Sequence, residues 1–339
     1  MRQRDPSLLA GQARKFGRKT IGYVRAQLQL SGMLQRNSLT FPDFLGIGAQ
    51  KAGTSWLHAN LRRHPQVYMP RRKELHYFDW RPHRSLKTYA REFAGSGTLV
   101  KGEITPYSAA LPKWTIRYIH ELMPDAKLIL LLRNPIDRAW SQALMNLVVH
   151  KRRNFDDVRD EEFVEHFRHP RTVSRGNYLG MIDSWLSVFP EERLFIGFFE
   201  DVRDRPRKLL SAVFDHIGVS TDVDWASFPL NKVIHGGVRA PLPPRFRAIL
   251  DEVYTDEIDR IVDRCGGWAE TSRSSERAGG TIPAELSETA PGVTRETVAA
   301  IEQCKYFRTR KRRCRLVPHF LPNSRSMSAW ASFTQVGRP

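Results

Sequence analysis

The sequence predicts an α/β fold, a three-layer sandwich in which helices cover both faces of a central parallel sheet. Strand-like apolar runs alternate with helix-like segments through the middle of the chain, which is the order expected of a parallel sheet. The most hydrophobic run, residues 126–132, is continuous, as expected of a strand buried on both faces. A glycine-containing loop at 48–55 joins an apolar run to a helix-like segment.

The predicted elements follow one another without an internal repeat. Strands are expected at residues 44–48, 99–103, 126–132 and 194–199. Helices are expected at residues 54–63, 112–122, 135–149, 178–188 and 206–217, and residues 241–264 are expected to form one or two closing helices. The helix at 135 has a clear start, because Asn134 is a good N-cap and Pro135 suits the first helical position.

The chain is predicted to contain one domain with two extensions. Its 339 residues can form a single large α/β domain, which we place at 41–268. Residues 1–40 are predicted to be a basic arm, with a helical stretch at 15–35. Residues 269–339 are predicted to be a linker, rich in Ser, Thr, Gly, Glu and Pro, followed by a basic extension.

The net charge of +18 is concentrated in the two extensions. Residues 1–40 carry eight Lys/Arg against one acidic residue, and residues 271–339 carry twelve against five. Each extension therefore contributes +7, which leaves +4 for the middle of the chain. Such tails are more typical of solvated segments, or of segments attracted to anionic surfaces, than of specific nucleic-acid readers.

The three cysteines, Cys265, Cys304 and Cys314, are odd in number and late in the chain. They argue against a disulfide framework and for a reducing compartment, so we expect a cytoplasmic protein. Their spacing does not suit zinc, and no metal site is expected. No run approaches the ~20 apolar residues that a membrane-spanning helix needs, and the N-terminus does not resemble a signal peptide.

Residues 48–55, Gly-Ala-Gln-Lys-Ala-Gly-Thr-Ser, predict a phosphate cradle. Backbone N–H groups and a helix N-terminus can surround an anion there, and glycine lets the backbone approach it. The lysine, Lys51, stands two residues before the second glycine, whereas in triphosphatases Lys and Ser/Thr follow that glycine. The loop is therefore P-loop-like but is predicted to bind a different group on the phosphate.

A second anion site is predicted after the apolar run at 126–132. A triphosphatase would usually end such a strand with an Asp that holds magnesium, but here Arg133 follows it. Ser141 lies on the second turn of the next helix, where it can approach Arg133. A guanidinium and a hydroxyl together can bind an anion without the help of a metal ion. One nucleotide with two separate phosphate clusters would fit both sites.

These motifs resemble those of the sulfotransferases that use 3′-phosphoadenosine 5′-phosphosulfate (PAPS), most closely the heparan-sulfate type and its bacterial relatives. The resemblance covers roughly residues 41–265. The matching segments, in order, are 48–56, 73–79 (Lys-Glu-Leu-His-Tyr-Phe-Asp), 102–107 (Gly-Glu-Ile-Thr-Pro-Tyr), 133–141 and 174–178.

The resemblance implies a reaction and a set of roles. The reaction is transfer of a sulfuryl group from PAPS to a hydroxyl, or an amine, of a carbohydrate or glycolipid-type acceptor, without a metal. Lys51 would stabilise the leaving phosphate, Glu74 would be the general base, and His76 would orient Glu74 or the acceptor. The implied donor-binding residues are Gln50, Lys51, Ala52, Gly53, Thr54, Ser55, Trp56, Arg133, Ser141, Tyr178 and Arg239.

The chain departs from the family pattern at two places. Ile104 stands where heparan-type members often carry a lysine. The C-terminal phosphate loop of the family has no clean match, and residues 231–239, which end in Arg239, are the nearest candidate. A glycosaminoglycan acceptor is therefore not implied.

The same residues also have structural explanations. Lys51 could be a solvated loop lysine, and Arg133 could pair with Asp125 or Asp137. Glu74 follows Arg71, Arg72 and Lys73, and such glutamates usually form surface ion pairs. The remaining candidates with an ordinary role in packing or on a helix surface are Trp56, His76, Tyr77, Phe78 and Ser141.

Two other functions remain open from the sequence. A phosphate-loop kinase would use the loop at 48–55, although the Gly-Lys-Ser/Thr order and the metal-binding Asp are missing. A nucleic-acid-binding protein would use the basic tails, and its binding would depend steeply on salt.

Overall fold

The computed structural model describes residues 39–80, 84–234, 236–238 and 240–265. Five parallel strands form a sheet with the order β2-β3-β1-β4-β5 in this part of the chain. The strands are β1 Phe44–Gly48, β2 Val67–Tyr68, β3 Val100–Ile104, β4 Lys127–Leu132 and β5 Leu194–Phe198. The parallel sheet confirms the predicted α/β class.

Helices connect and cover the strands. They are α1 Thr54–Leu61, α2 Leu86–Ala90, α3 Lys113–Leu122, α4 Pro135–Ala143, α5 Asp160–Arg168, α6 Pro170–Val173, α7 Tyr178–Leu186, α8 Phe199–Asp204, α9 Pro206–Ile217 and α10 Pro244–Cys265.

The central strands are buried on both sides. All five residues of β1 are buried, and so are residues Leu128 to Leu132 of β4. Because successive side chains of a strand point to opposite faces, helices must cover both faces of the sheet. This confirms the predicted three-layer arrangement.

A second apolar cluster lies where α4, α5 and α10 meet. Trp140, Phe163, Phe167 and Phe246 pack there with ring centroids 4.9–6.3 Å apart. The cluster holds α4, which follows β4, against α10. It therefore fixes the element that was predicted to carry the second anion site.

Some predicted elements differ from the observed ones. β2, α2, α5, α6 and α8 are absent from the prediction. All of them except α5 have six residues or fewer, which is too short to show a periodicity. The helix predicted at 135–149 is α-helical only to Ala143 and continues as a π-helical turn, Leu144–Val149. The closing segment is one helix, α10. The helix predicted at 15–35 and the extension at 269–339 lie outside the described residues.

Candidate active site

The candidate residues follow the carboxyl ends of four adjacent strands. Lys51 follows β1, Glu74 follows β2, Tyr107 follows β3 and Arg133 follows β4. Because all strands are parallel, these ends lie along one edge of the sheet, where ligands of such folds bind. The structure thus brings both predicted anion sites and the predicted base to the same edge.

The loop between β1 and α1 depends on glycine. Gly53 has a φ of 85°, and a Cβ at this position would lie 3.1 Å from Cδ2 of Phe199, so a side chain there would be both strained and crowded. No side chain caps α1, and its first turn contains no acidic residue. Its first N–H groups therefore remain able to donate to a bound anion.

Arg133 touches this loop directly. Its Nη1 donates to the carbonyl oxygen of Lys51 at 3.2 Å, and its guanidinium lies 4.5 Å from the centroid of the Phe199 ring. Its buried Nε has no hydrogen-bond partner. Within the described residues Arg133 forms no ion pair with a carboxylate, and Asp125 pairs with Arg193 at 2.7 Å instead.

Lys51 and Arg133 give the donor side two partly buried positive charges. Burial lowers the pKa of the Lys51 ammonium, and the nearby charge of Arg133 lowers it further. Burial also lowers the pKa of Arg133. Neither group forms an ion pair with a carboxylate in the described part of the chain, although the charges of Asp137 and Glu200 oppose the lowering of the Arg133 pKa. A bound phosphate would compensate both charges and would accept from the free Nε, so these residues fit the phosphates of PAPS.

Two aromatic residues of the implied donor site are held by backbone carbonyls. Trp56 is buried, and its indole donates to Leu230 O at 2.7 Å, so only its backbone is placed to bind an anion. The Tyr178 hydroxyl donates to Arg133 O at 2.9 Å. Tyr178 therefore supports the residue that was predicted to bind the second phosphate.

The other implied donor residues differ in burial. Ser141 is half-buried on α4, and its hydroxyl forms no hydrogen bond with another described residue. Ala52 and Thr54 are buried and Ser55 is half-buried. Arg239 lies outside the described residues.

Glu74 has three polar contacts near the end of β3. Its carboxylate pairs with the Lys73 ammonium, and its Oε2 lies 3.3 Å from Nε2 of His76. Its backbone N–H donates to Ile104 O, at the end of β3, at 3.2 Å. The side chain is 32% exposed. Glu74 therefore forms the ion pair expected of a structural glutamate, but it also remains open to a substrate.

His76 links Glu74 to a carboxylate, Asp79, that was not among the predicted site residues. Nδ1 of the buried His76 lies 2.8 Å from Oδ2 of Asp79, and Asp79 Oδ1 accepts from the backbone N–H of Trp80 at 2.9 Å. With Nδ1 turned toward Asp79, Nε2 is the ring nitrogen that faces Glu74. The signal was present in the sequence, since Asp79 ends the 73–79 segment three residues after His76.

Tyr107 joins the donor and acceptor sides, and it too was missed. Gln50 Nε2 donates to the Tyr107 hydroxyl at 3.1 Å, and the His76 ring lies edge-on at 5.7 Å between centroids. The half-buried Arg175 places its guanidinium 4.8 Å from the Tyr107 centroid. Both residues fall inside segments that carry the resemblance, 102–107 and 174–178, although neither was given a role.

Metal-binding clusters and membrane-spanning helices are both absent from the described residues. No group of three or more His, Cys, Asp or Glu side chains in this part of the chain could hold a metal ion. The helices in the same part of the chain are all too short or too polar to cross a membrane.

Comparison with known proteins decides the family. The family model described as "Sulfotransferase domain" matches residues 41–235. The chain belongs to the sulfotransferase domain family. This match includes the loop at 48–55, Glu74, His76, Tyr107 and Arg133, so the sulfotransferase domain contains both sides of the site.

Relatives of this sulfotransferase domain come from several organisms. Heparan sulfate glucosamine 3-O-sulfotransferase 6 of Homo sapiens is 32% identical over 216 residues, which cover 59% of this chain and 61% of the relative. Membrane-associated sulfotransferase kil1 of Dictyostelium discoideum is 23% identical over 285 residues, 58% of this chain and 60% of the relative. The chain thus spans about three fifths of the length of these two relatives. A crystal structure of a sulfotransferase from Alicyclobacillus acidocaldarius is 26% identical with a TM-score of 0.54, over 66% of this chain and 95% of that one.

Proposed function

We propose that this protein transfers a sulfuryl group from PAPS to a hydroxyl of a carbohydrate or glycolipid-type acceptor. The observation that carries the proposal is the connection through Tyr107. Its hydroxyl accepts from Gln50, next to Lys51, while its ring contacts His76, the partner of Glu74. Tyr107 therefore links the proposed cationic phosphate cradle to the proposed carboxylate base.

On the donor side, this chain's cations stabilise negative charge. PAPS, when bound, supplies the sulfuryl group. Lys51 and the N–H groups at the start of α1 would hold the 5′-phosphate, and Arg133 would hold the 3′-phosphate with Ser141. As the bond between sulfur and the bridging oxygen breaks, the electron pair remains on the phosphate, and Lys51 offsets the added charge.

On the acceptor side, Glu74 receives a proton. The acceptor oxygen forms the new bond to sulfur and loses its hydrogen to the Glu74 carboxylate. His76 Nε2, 3.3 Å from Glu74 Oε2, can accept a hydrogen bond from the protonated Glu74. Asp79 holds the ring in the tautomer that allows this.

The acceptor class rests on the relatives. One relative's name specifies the glucosamine of heparan sulfate, which supports a carbohydrate acceptor. Ile104 replaces the lysine that heparan-type members often carry, so we do not extend the proposal to heparan sulfate itself. The cytoplasmic location remains a prediction.

Ligand-dependent melting tests the donor. The product 3′-phosphoadenosine 5′-phosphate (PAP) should raise the melting temperature, since a ligand at a hundred times its Kd stabilises the folded state by about 2.7 kcal/mol. ATP with magnesium should have little effect. Stabilisation by magnesium-ATP but not by PAP would favour the kinase instead.

Two variants separate donor binding from chemistry. Glu74→Gln should lower turnover by about 10²–10⁴-fold and leave PAP affinity almost unchanged. Lys51→Ala should lower both, because its ammonium would touch the phosphosulfate before and during the reaction. Near-normal turnover by Glu74→Gln would overturn the assignment of the base, and His76 and Glu103 would then be the next candidates.

A further inference from the structure

We propose that Trp80 is a stacking platform for a sugar ring of the acceptor. The inference rests on the proposed function and adds a residue that determines acceptor specificity. Trp80 is the most exposed tryptophan in the described part of the chain, at 54%. This exposed indole stacks on His76, which belongs to the buried His76–Asp79 pair.

The geometry places the indole next to the base. Its ring is parallel to that of His76, with 3.7 Å between centroids and 7° between planes. Nε2 of His76 in turn lies 3.3 Å from Glu74 Oε2. Since His76 covers one face of the indole, the exposed surface includes the other face. The indole contacts His76, and His76 contacts the Glu74 carboxylate.

The indole is also held firmly in place. The backbone N–H of Trp80 donates to Asp79 Oδ1 at 2.9 Å, and the ring packs edge-on against Tyr107 at 5.2 Å between centroids. A rigid aromatic surface loses little conformational freedom when a ligand stacks on it. The same contacts that orient His76 therefore preset the platform.

The surroundings favour a saccharide over an apolar acceptor. Near the indole are the charged or polar groups of Lys73, Glu74, Tyr107 and Arg175, linked through the contacts described above. An apolar acceptor would need apolar walls. A pyranose has an apolar face for the indole and hydroxyl edges for these polar groups, so it satisfies both kinds of surface.

Acceptor kinetics test the proposal. PAP release from PAPS would be measured with chitotetraose, cellotetraose and maltotetraose as saccharide probes and 2-naphthol as an apolar one. Wild type should use at least one saccharide. Trp80→Ala should raise KM for that saccharide by about tenfold with a smaller change in kcat, and Trp80→Phe should recover most of the loss.

Matched measurements separate the possible failures. Trp114→Ala, which removes another tryptophan that is 39% exposed, should leave saccharide KM unchanged. PAP affinity should be the same in Trp80→Ala and wild type. If wild type does not bind PAP, the result counts against the proposed function and not against the platform. The platform is refuted if no saccharide is used, if Trp80→Ala lowers kcat alone, or if only 2-naphthol depends on Trp80.

Discussion

Nδ1 of His76 and Oδ2 of Asp79 are 2.8 Å apart, and both side chains are almost fully buried, at 6% and 7% exposure. This contact decides how the catalytic side of the site is built. It orients the imidazole so that Nε2 faces Glu74, and it sets which nitrogen carries the hydrogen. Glu74, the proposed general base, is thus the exposed end of a three-residue chain that begins in the core.

Asp79→Asn tests this chain. The amide can turn its NH₂ toward Nδ1, which would favour the other tautomer and leave Nε2 unable to accept from Glu74. Turnover should fall by about 10–100-fold, the size of effect seen when a partner that orients a metal-bound histidine is removed, while PAP affinity stays constant. If Asp79 acts through His76, adding His76→Ala should cost little more in a double-mutant cycle. Fully additive losses would contradict the linkage.

Arg133→Ala should distinguish the two phosphate sites. Binding of PAP should weaken by about 1.5–3 kcal/mol, the value of a charge-assisted hydrogen bond, whereas binding of adenosine 5′-phosphate should change much less. Isothermal titration with both nucleotides measures the difference. Arg117→Ala, on the exposed side of α3, provides the control. Equal losses for both nucleotides would show that Arg133 is structural and supports Lys51 O.

Glu200 should make donor binding depend on pH. Burial raises the pKa of its carboxyl to about 7, although backbone hydrogen bonds and Arg133 oppose the shift, and Asp137 adds to it. Above pH 7 the ionised carboxylate offsets the charge of Arg133, so PAP affinity should fall as pH rises from 6 to 8. A one-unit shift of this pKa on binding would produce up to about a tenfold change. Glu200→Gln should flatten the profile relative to wild type, and parallel profiles would exclude this role.

Glu103 should make stability depend on pH. Burial raises the pKa of this β3 carboxyl to about 8; the Tyr89 hydroxyl, which donates to Oε1 at 3.1 Å, opposes the shift, and Asp79 adds to it. The folded state holds the proton more tightly than the unfolded state. The contribution of Glu103 to the free energy of unfolding is therefore present at low pH and is lost as pH rises to about 8.

Denaturation at pH 5.5 and pH 9 measures the effect. Glu103→Gln stays neutral, so its stability relative to wild type should be higher at pH 9 than at pH 5.5. Glu192→Gln, at an exposed position, should show a smaller difference between the two pH values. If the stability difference between Glu103→Gln and wild type is the same at pH 5.5 and pH 9, the carboxyl is already ionised in the folded protein at pH 5.5. This result would also revive Glu103 as a candidate proton acceptor.

Much of the donor side could be predicted from the sequence, because local features determine it. A strand, a glycine loop and a helix N-terminus are adjacent along the chain, so the positions of Lys51 and Gly53 follow from the order of residues alone. Residues 128–132 of β4 form an unbroken hydrophobic run. Arg133 follows this run at the place where a triphosphatase would carry a metal-binding Asp. These are short-range patterns whose physical consequences do not depend on distant residues.

The acceptor side was predicted only in part, because its contacts join distant segments. The hydrogen bond from Gln50 to Tyr107 spans 57 positions, and the stacking of Trp80 on His76 depends on a backbone with positive φ at both Glu74 and His76. Arg175 reaches Tyr107 from the segment before α7. No periodicity in the sequence reports such pairings.

The sequence by itself determined the α/β class, the phosphate loop and the identities of the charged groups, since hydrophobic continuity and glycine spacing are local properties. Only the tertiary structure decided that Asp79 backs His76, that Tyr107 lies between Gln50 and His76, and that Trp80 is exposed beside His76. The physical reason is that burial and side-chain contact arise when parallel strands align their carboxyl ends, and this alignment brings together residues that the chain keeps far apart.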